Sequence, residues 1–254
     1  MKRIRHNYSD TEYYDEFHIP KKHGKTRRIC APSVALLRYQ RSCLPALEAE
    51  LDLMLQTTDL EDVVHGFRKN RNIVTAAQQH IGFQTTIQLD ISNCFDSISV
   101  DVDTRLLHTD GSLAQGFATS PILANIYLCN PLSDTKQFLE SLGIEFALTS
   151  YADDLAISIN SADYRTINLI VDIITYNIFP KHNLAINPGK TRIRYAKHGN
   201  RKILGIMVAD TSLVPSRKLR GKIRAARHQR NGPSLGGLVT ASRNYLPKAL
   251  REPS

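Results

Sequence analysis

Several residue types are scarce in this 254-residue chain, and their scarcity excludes some classes of protein. There is no tryptophan, and the four cysteines are widely separated, without a CxxC pair. This spacing indicates neither a zinc knuckle nor a disulfide framework, so we expect reduced, mostly buried thiols. No apolar run is long enough for a membrane span, and "MKRIRHNYSD" lacks the apolar segment of a secretory signal. We therefore expect a soluble, cytoplasmic protein with no membrane partner.

Acidic residues are rare in the last third of the chain. From Lys181 onward only Asp210 and Glu252 are acidic, and the whole chain has a formal net charge of +9. This asymmetry indicates a polyanionic partner, and nucleic acid is favoured over membrane because no large aromatic or leucine face accompanies the basic residues. A solvated surface that only aids solubility is the alternative. The basic residues that we expect to contact nucleic acid are Arg217, Lys218, Arg220, Lys222, Arg224 and Arg227.

Hydrophobic periodicity and turn residues divide the chain into helices and short strands. "IPKKHGKTRRICAP" predicts two strands with a turn at Gly24, and residues 33–54 predict two helices or one helix kinked at Pro45. Further helices are predicted in "NIVTAAQQHI", "ATSPILANIYLCNPL" and "ADYRTINLIVDIITYNIF", and strands in "TTIQLD" and "KILGIMV". The order of the elements is typical of an α+β protein with a small antiparallel sheet.

Two adjacent aspartates, Asp153 and Asp154, interrupt the otherwise apolar stretch "TSYADDLAIS". Burial of two neighbouring carboxylates is costly, so the pair is expected either in a solvated hairpin turn or beside a cation. Asp90 ends the predicted strand "TTIQLD", and the three carboxylates meet if these strands are neighbours in one sheet. Oxygen donors at one sheet edge suit Mg²⁺, and two such ions about 4 Å apart can activate a hydroxyl and steady a leaving pyrophosphate.

Five ordered segments resemble the palm motifs A to E of reverse transcriptases, most of all those of bacterial group II introns and retrons. They are "QLDISNCFDSI", "QGFATSPILANIYL", "YADDLAIS", "NLAINPGKTRI" and "ILGIMV". "IPKKHGKTRRICAP" and "VVHGFRKNRNIVTAAQQHIG" resemble the preceding finger motifs. The resemblance implies a right-hand polymerase with fingers in residues 1–85, a palm with a small antiparallel sheet in 86–208, and a short basic helical thumb in 209–254.

The resemblance also implies catalytic residues. Asp90, Asp153 and Asp154 are the implied ligands of two Mg²⁺ ions, which Mn²⁺ can replace, and the carbonyl of Ile91 completes one metal site. Lys190, in "NPGKT", resembles a lysine proposed to protonate the leaving pyrophosphate. A second interpretation of Lys190 is that it is one more cation that binds the nucleic-acid backbone.

Further residues are implied to bind the incoming nucleotide. Phe95 lies where the family has an aromatic ring that excludes the ribose 2′-hydroxyl, and the alternative is an ordinary core phenylalanine. Gln115 and Gly116 are implied to lie beside the nucleotide and the template base. The basic residues implied to reach the triphosphate are Lys25 with Arg27 or Arg28.

The chain departs from this pattern in one segment. Only 24 residues separate Asp90 from Gln115, where relatives usually have several dozen, and "SVDVDTRLLHTDGS" has room for one short helix and a turn. Either a partner or RNA covers that side of a compact palm, or the palm is compromised. The subfamily stays open between a retron enzyme and a related phage-defence reverse transcriptase.

The motifs imply an RNA-directed DNA polymerase that extends a primer with dNTPs. Its template is expected to be a dedicated noncoding RNA, its product an RNA–DNA hybrid, and its context a retron or antiviral defence system with a possible effector or toxin protein. The alternative, of a different class, is a nucleic-acid-bound scaffold or antitoxin-like component. In that case polymerisation is secondary, untemplated or absent.

Overall fold

The N-terminal part of the chain is a three-stranded antiparallel sheet in the order β1–β2–β3. The strands are β1 (Ile4–Asn7), β2 (Tyr13–Pro20) and β3 (Thr26–Pro32). β2 and β3 form the predicted hairpin, and Gly24 in its turn has a φ of +72°, which glycine adopts without strain.

The computed structural model describes residues 2–21, 24, 26–215, 220–222 and 224–225.

Two helices follow this N-terminal sheet. The first, α1 (Val34–Thr57), begins at Ser33, whose hydroxyl accepts a hydrogen bond from the Leu36 backbone N–H. α1 continues through Pro45 as one helix, because burial of its apolar face outweighs the single hydrogen bond that a proline cannot donate. The second, α2 (Ile73–Gln78), is short and begins with a capping box.

The centre of the protein is a four-stranded antiparallel sheet in the order β5–β6–β4–β7. The strands are β4 (Thr85–Asp90), β5 (Phe146–Tyr151), β6 (Asp154–Ile159) and β7 (Arg192–Tyr195). Ile87 pairs with Ile157 across β4 and β6 on one face, whereas Thr86 pairs with Ser158 on the other. Because side chains alternate along a strand, this register gives the sheet one apolar and one more polar face.

Helices cover the apolar face of the central sheet. They are α3 (Cys94–Ser97), α4 (Ser120–Ser141), α5 (Tyr164–Ile173) with a π-helical turn at Ile174–Ile178, and α6 (Phe179–Lys181). Leu128, Leu132 and Ile170 belong to the same buried cluster as Ile87 and Leu89. Each such side chain contributes about 1.5–3 kcal/mol when it is removed from water. This core holds the strands that carry the candidate site.

The short segment before Gln115, residues 98–114, lies against the N-terminal sheet and α1. It contains one 3₁₀ turn, as expected for so few residues. The Tyr8 hydroxyl donates to the Leu107 carbonyl, and Gln40 Nε2 donates to the Arg105 carbonyl at 3.1 Å. Residues of the chain itself, before β2 and on α1, therefore contact this segment, for which the sequence left open cover by a partner or RNA and a compromised palm.

The segment "KILGIMV" is a hairpin, so the prediction of a single strand is wrong. It forms β8 (Arg201–Ile203) and β9 (Ile206–Val208), and β9 pairs on its other side with β10 (Leu213–Val214). Leu204 and Gly205 have φ values of +49° and +85°, as a two-residue turn of this kind requires. The apolar pattern predicted strand conformation but did not reveal this reversal.

The four cysteines are free thiols, and Cys30, Cys94 and Cys129 are buried, as predicted. Among the described residues, no helix has both the length and the apolar character needed to cross a membrane. Residues 220–222 and 224–225 are helical, and the side chains described there are exposed.

Candidate active site

Asp153 and Asp154 occupy different positions in the β5–β6 hairpin. Tyr151 pairs with Asp154, so the turn consists of Ala152 and Asp153. Ala152 has a φ of +55°, and Asp154 is the first residue of β6. The sequence interpretation of a hairpin turn is right, but the turn lies one residue earlier than an Asp153–Asp154 turn, because Ala152 is its first residue. One aspartate extends from the turn and the other from the strand.

Asp90 is the last residue of β4 and lies directly opposite Asp154 in the ladder. Directly opposed side chains share a face of the sheet, here the more polar face. Two backbone hydrogen bonds fix the strand end: Ile91 N–H donates to the Asp153 carbonyl at 2.8 Å, and Asn187 N–H donates to the Asp90 carbonyl at 2.7 Å. The fold therefore brings the three aspartates to one end of the central sheet.

Lys190 contacts the first of these carboxylates. It lies in a 3₁₀ turn, Pro188–Lys190, that begins at Asn187. Its Nζ donates to both oxygens of Asp90, at 2.7 and 2.9 Å. The hydrogen bond to Asp90 raises the pKa of Lys190, with Asp153 and Asp154 adding to the effect. The lysine is consequently a protonated ammonium group within the aspartate cluster.

A cleft of ≈ 930 Å³ opens in front of Asp90 and Asp153, whereas Asp154 does not line it. Asp90, Ile91 and Asp153 line it together with Lys190. Its other lining residues are Lys21, Arg27, Phe67, Ser92, Asn93, Cys94, Phe95, Gln115, Ala152 and Asn187. The structure thus brings together carboxylates, cations and aromatic rings from distant parts of the sequence.

The electrostatics of the cluster suit a divalent cation with oxygen ligands. Desolvation, followed by repulsion from Asp153 and Asp90, raises the pKa of Asp154 to about 6. Burial raises the pKa of the neighbouring Cys94 to about 12, so that thiol adds no negative charge to the aspartate cluster. The available donors are then carboxylate and carbonyl oxygens, which hard cations such as Mg²⁺ prefer.

The loop before α4 is in close contact with the N-terminal sheet. Cys30 N–H donates to the Gln115 carbonyl at 2.8 Å. Gly116 has a φ of +119°, and a Cβ added there would lie 2.2 Å from the Cys30 carbonyl oxygen. Gln40, on α1, accepts a hydrogen bond from the Ala118 N–H at 3.1 Å. These contacts determine where Gln115 enters the cleft.

Phe67, which we did not single out in the sequence, forms part of the cleft wall. It has a φ of +57° and is 54% exposed, which is unusual for a large apolar residue. The preceding Gly66 lies so close to the β5–β6 turn that an added Cβ would be 2.6 Å from the Ala152 nitrogen. Asn125 Nδ2 donates to the Gly66 carbonyl at 2.9 Å. The "HGF" tripeptide was the available signal for this contact.

The basic residues predicted from the fingers have different positions. Arg27 lines the cleft, and Lys21, which we did not predict, lines it too. Arg28 instead pairs with Asp110 at 2.7 Å and Asp96 at 2.8 Å, because neighbouring residues of a strand point to opposite faces. Of the two arginine alternatives, the geometry favours Arg27. Lys25 lies outside the described residues.

The predicted nucleic-acid contacts near the C-terminus are only partly described. Arg220, Lys222 and Arg224 are exposed, as a binding role requires. The predicted residues that lie outside the described part of the chain are Arg217, Lys218 and Arg227.

Comparison with known proteins gives a consistent result. A family model described as reverse transcriptase (RNA-dependent DNA polymerase) matches residues 19–208. The retron Mx65 reverse transcriptase of Myxococcus xanthus is 26% identical over 262 residues, covering 89% of this chain and 56% of that protein. The retron Ec86 reverse transcriptase of Escherichia coli is 28% identical over 181 residues, covering 64% and 54%. This chain spans about half the length of the curated relatives that it matches.

Solved structures share the fold. The apo telomerase from Candida tropicalis has a TM-score of 0.61 at 13% identity, over 85% of this chain and 50% of that chain. The telomerase from Candida albicans, solved with a fragment of telomeric RNA, has a TM-score of 0.59 at 14% identity, over 79% and 46%. At such identities the likeness concerns the fold alone. It confirms the predicted α+β polymerase architecture.

Proposed function

The chain belongs to the reverse transcriptase family, and from this premise we propose that it extends a primer with deoxynucleotides on an RNA template. The observation that carries the proposal is the convergence of Asp90 and Asp153 in one cleft with Arg27, Phe95 and Gln115. Nucleotidyl transfer needs negative ligands for cations, a positive group for the triphosphate and a wall that orients the sugar and base. The cleft contains residue types suited to each of these tasks.

Asp90, Asp153 and Asp154, with the Ile91 carbonyl, are the residues that would hold two divalent cations. We propose Mg²⁺, with Mn²⁺ as a substitute, because the donors are oxygens. When bound there, such ions lower the pKa of the primer hydroxyl and neutralise the departing pyrophosphate. Desolvation and then repulsion from Asp153 and Asp90 raise the pKa of Asp154, and a bound cation would relieve that repulsion.

The other residues of the cleft orient the substrate. Arg27 and Lys21 supply guanidinium and ammonium groups for the triphosphate oxygens. Phe95 packs against the core and also lines the cleft, which supports a role in excluding a 2′-hydroxyl. Lys190 carries the only described ammonium bonded to Asp90, and this contact supports a role as proton donor to the leaving group.

We further propose that the template is a dedicated noncoding RNA in a retron or related antiviral defence system. Support comes from curated relatives whose names describe them as retron reverse transcriptases. The exposed basic side chains of Arg220, Lys222 and Arg224 support this proposal, because such groups bind phosphate oxygens. An effector or toxin protein as a further partner belongs to the same proposal.

Primer extension tests the proposed activity. The full-length protein is incubated with the transcript of its neighbouring locus, Mg²⁺ and labelled dNTPs, and the products are treated with ribonuclease or deoxyribonuclease. We expect a deoxyribonuclease-sensitive product from the wild type, and none from Asp153→Asn. Asp172→Asn, which changes an exposed carboxylate on α5, is the matched control and retains activity. No product from the wild type, or equal product from Asp153→Asn, overturns the proposal.

The scaffold alternative rested on the short palm and on the basic helix. Glu16 on β2 contacts His108, and Arg28 on β3 contacts Ser112, so the N-terminal strands lie against the short segment, which supports a polymerase cleft instead. Sequencing of the nucleic acid that copurifies with wild type and with Asp153→Asn separates the two functions. A polymerase yields complementary DNA with the wild type alone, whereas a scaffold yields the same RNA, without DNA, from both.

A further inference from the structure

Three potential metal ligands meet where the N-terminal sheet contacts the segment 98–114. They are His6 on β1, Glu16 on β2 and His108, and their donor atoms all lie within 4.8 Å of one another. His6 pairs with Tyr14, so Glu16 lies diagonally from His6 on the same face of the sheet. None of these three residues lines the cleft around Asp90. The cluster is a separate feature of the fold.

The distances within this cluster match those between the ligands of one small cation. Nε2 of His108 lies 2.9 Å, and Nε2 of His6 lies 3.3 Å, from the same Oε2 of Glu16. Tetrahedral ligands at about 2.0–2.1 Å from zinc are roughly 3.3 Å apart. Nε2 of His6 is buried and makes no hydrogen bond within the described chain, although it faces this carboxylate. This ring nitrogen therefore faces the cluster without a hydrogen-bond partner and is available as a metal ligand.

A hydrogen bond and a carboxylate lie behind the His108 ring. The Asp110 N–H donates to Nδ1 of His108 at 3.1 Å, so the proton of the neutral ring is on Nε2, which faces Glu16 at 2.9 Å. A cation at Nε2 replaces that proton, and Nδ1 is then protonated beside Oδ1 of Asp110, 2.9 Å away, as in carboxylate–histidine–zinc triads. The Ser112 N–H and hydroxyl hold the same Asp110 oxygen at 2.9 and 2.6 Å. Tyr14 stacks on the His6 ring with a centroid separation of 4.7 Å.

The charge around the cluster is negative. Three carboxylates lie here, those of Glu16, Asp96 and Asp110, and Arg28 neutralises only part of their negative charge. Nη1 of Arg28 lies 3.4 Å from both ring nitrogens of His108. The guanidinium is itself paired with Asp96 and Asp110, which limits its repulsion of a nearby cation. One divalent cation would bring these groups close to neutrality.

We infer that His6, Glu16 and His108 bind one Zn²⁺ ion, which joins the N-terminal sheet to the segment before Gln115. Two imidazoles and a carboxylate suit zinc, whereas Mg²⁺ prefers oxygen ligands alone. The His6 side chain is 24% exposed although its Nε2 is buried, so the cluster lies just below the surface, and we expect water as the fourth ligand because the chain supplies three. Because the ligands come from three segments, the ion binds the folded chain and stabilises it.

Metal content measures this site directly. Untagged full-length protein is stripped with a chelator, incubated with Zn²⁺ in excess Mg²⁺, desalted and analysed by elemental mass spectrometry. The excess Mg²⁺ occupies the aspartate cluster, so retained zinc reports on nitrogen-containing sites. We expect one zinc per wild-type chain, and a tetrahedral visible spectrum when Co²⁺ replaces it. We also expect zinc to raise the wild-type Tm.

Variants show which residues bind the ion. We expect His6→Gln and Glu16→Gln to lose the bound zinc and its effect on Tm. His18→Gln is the control and keeps both, because His18 is an exposed histidine on β2, the strand of Glu16. Circular dichroism verifies that each variant is folded. The inference is overturned if the wild-type protein retains no zinc, and this result does not depend on whether the variants fold. Equal zinc in folded His6→Gln and wild type overturns it as well.

Discussion

Lys190 Nζ binds both carboxylate oxygens of Asp90, at 2.7 and 2.9 Å. A divalent cation on Asp90 therefore has to displace this ammonium or share the carboxylate with it. The side chain of Lys190 is 59% exposed, so displacement into solvent is inexpensive. This pairing predicts that Lys190 affects metal affinity, besides its proposed role in proton donation.

Lys190→Gln is expected to change metal binding and catalysis in opposite directions. Loss of the competing ammonium strengthens Mn²⁺ binding by roughly two- to fivefold, the scale of an exposed ion pair. Loss of the proton donor lowers the rate of nucleotide addition by about a hundredfold. Electron paramagnetic resonance measures Mn²⁺ binding, and single-turnover kinetics measure the rate. Lys190→Arg keeps wild-type affinity because it keeps the charge. Weaker binding by Lys190→Gln contradicts the competition.

Phe95→Val is expected to admit ribonucleotides. A smaller side chain leaves room for the 2′-hydroxyl, so the ratio of kcat/KM for dNTP over rNTP falls by about tenfold or more. Phe138→Val is the control, because Phe138 packs on the same core but does not line the cleft. If both variants lose stability and neither changes sugar preference, Phe95 is a core residue only.

Arg27 and Arg28 are adjacent, yet their replacement should have different effects. Arg28→Gln removes the partner of Asp96 and Asp110 and lowers the free energy of unfolding by about 1–3 kcal/mol. Arg27→Gln leaves that free energy unchanged and raises the KM for dNTP, because Arg27 lines the cleft. Urea denaturation and steady-state kinetics on both variants check the assignment, which the reverse pattern would refute.

Gly116→Ala tests the contact between the α4 loop and β3. The new methyl group would lie 2.2 Å from the Cys30 carbonyl oxygen, so one backbone has to move. We expect a loss of about 2 kcal/mol or more in the free energy of unfolding, and reduced nucleotide addition. Gly143→Ala is the control: its φ is also positive, +64°, but no atom lies within 4 Å of the added Cβ, so it costs only about 1 kcal/mol. Similar losses in both variants speak against the contact.

His65 is expected to make the fold sensitive to acid. It is fully buried, and burial lowers its pKa to about 4. The unfolded chain takes up this proton near its ordinary pKa of about 6.5 and the folded chain does not, so stability is lost as pH falls from about 6.5 towards 4. The contribution approaches about 1.4 kcal/mol per pH unit. Urea denaturation between pH 7 and pH 5 measures the slope.

A variant isolates this contribution. His65→Gln is less stable at neutral pH but shows a smaller loss on acidification, whereas His18→Gln, which changes an exposed histidine, keeps the wild-type slope. If the free energy of unfolding of His65→Gln falls with pH as steeply as that of the wild type, another group causes the acid sensitivity.

Much of the fold could be predicted from the sequence because local patterns determine it. Apolar alternation predicts β4, and its last residue is Asp90. The motif order predicts the family, which the comparisons confirm. Helix periodicity predicts α4, although not its continuation beyond Leu132 to Ser141. These features depend on residues that are near in sequence.

Other features depend on contacts between residues that are distant in sequence, and these could not be predicted from local patterns. Whether Arg27 or Arg28 faces the cleft is decided by strand register, which composition does not reveal. The aromatic wall at Phe67 depends on the approach of Gly66 to the β5–β6 turn. The cover of the short segment depends on strands some ninety residues earlier, as in the pairing of Glu16 with His108.

The position of the N-terminal strands has a consequence for how the chain folds. Residues 5–16 leave the ribosome well before residues 103–110, with which Tyr8 and Glu16 form hydrogen bonds. Contacts of such long sequence separation form slowly, because a large loop has to close before they contribute. β1 and β2 are therefore expected to remain without their final packing surface during much of synthesis, so their docking is a late step that completes the cleft.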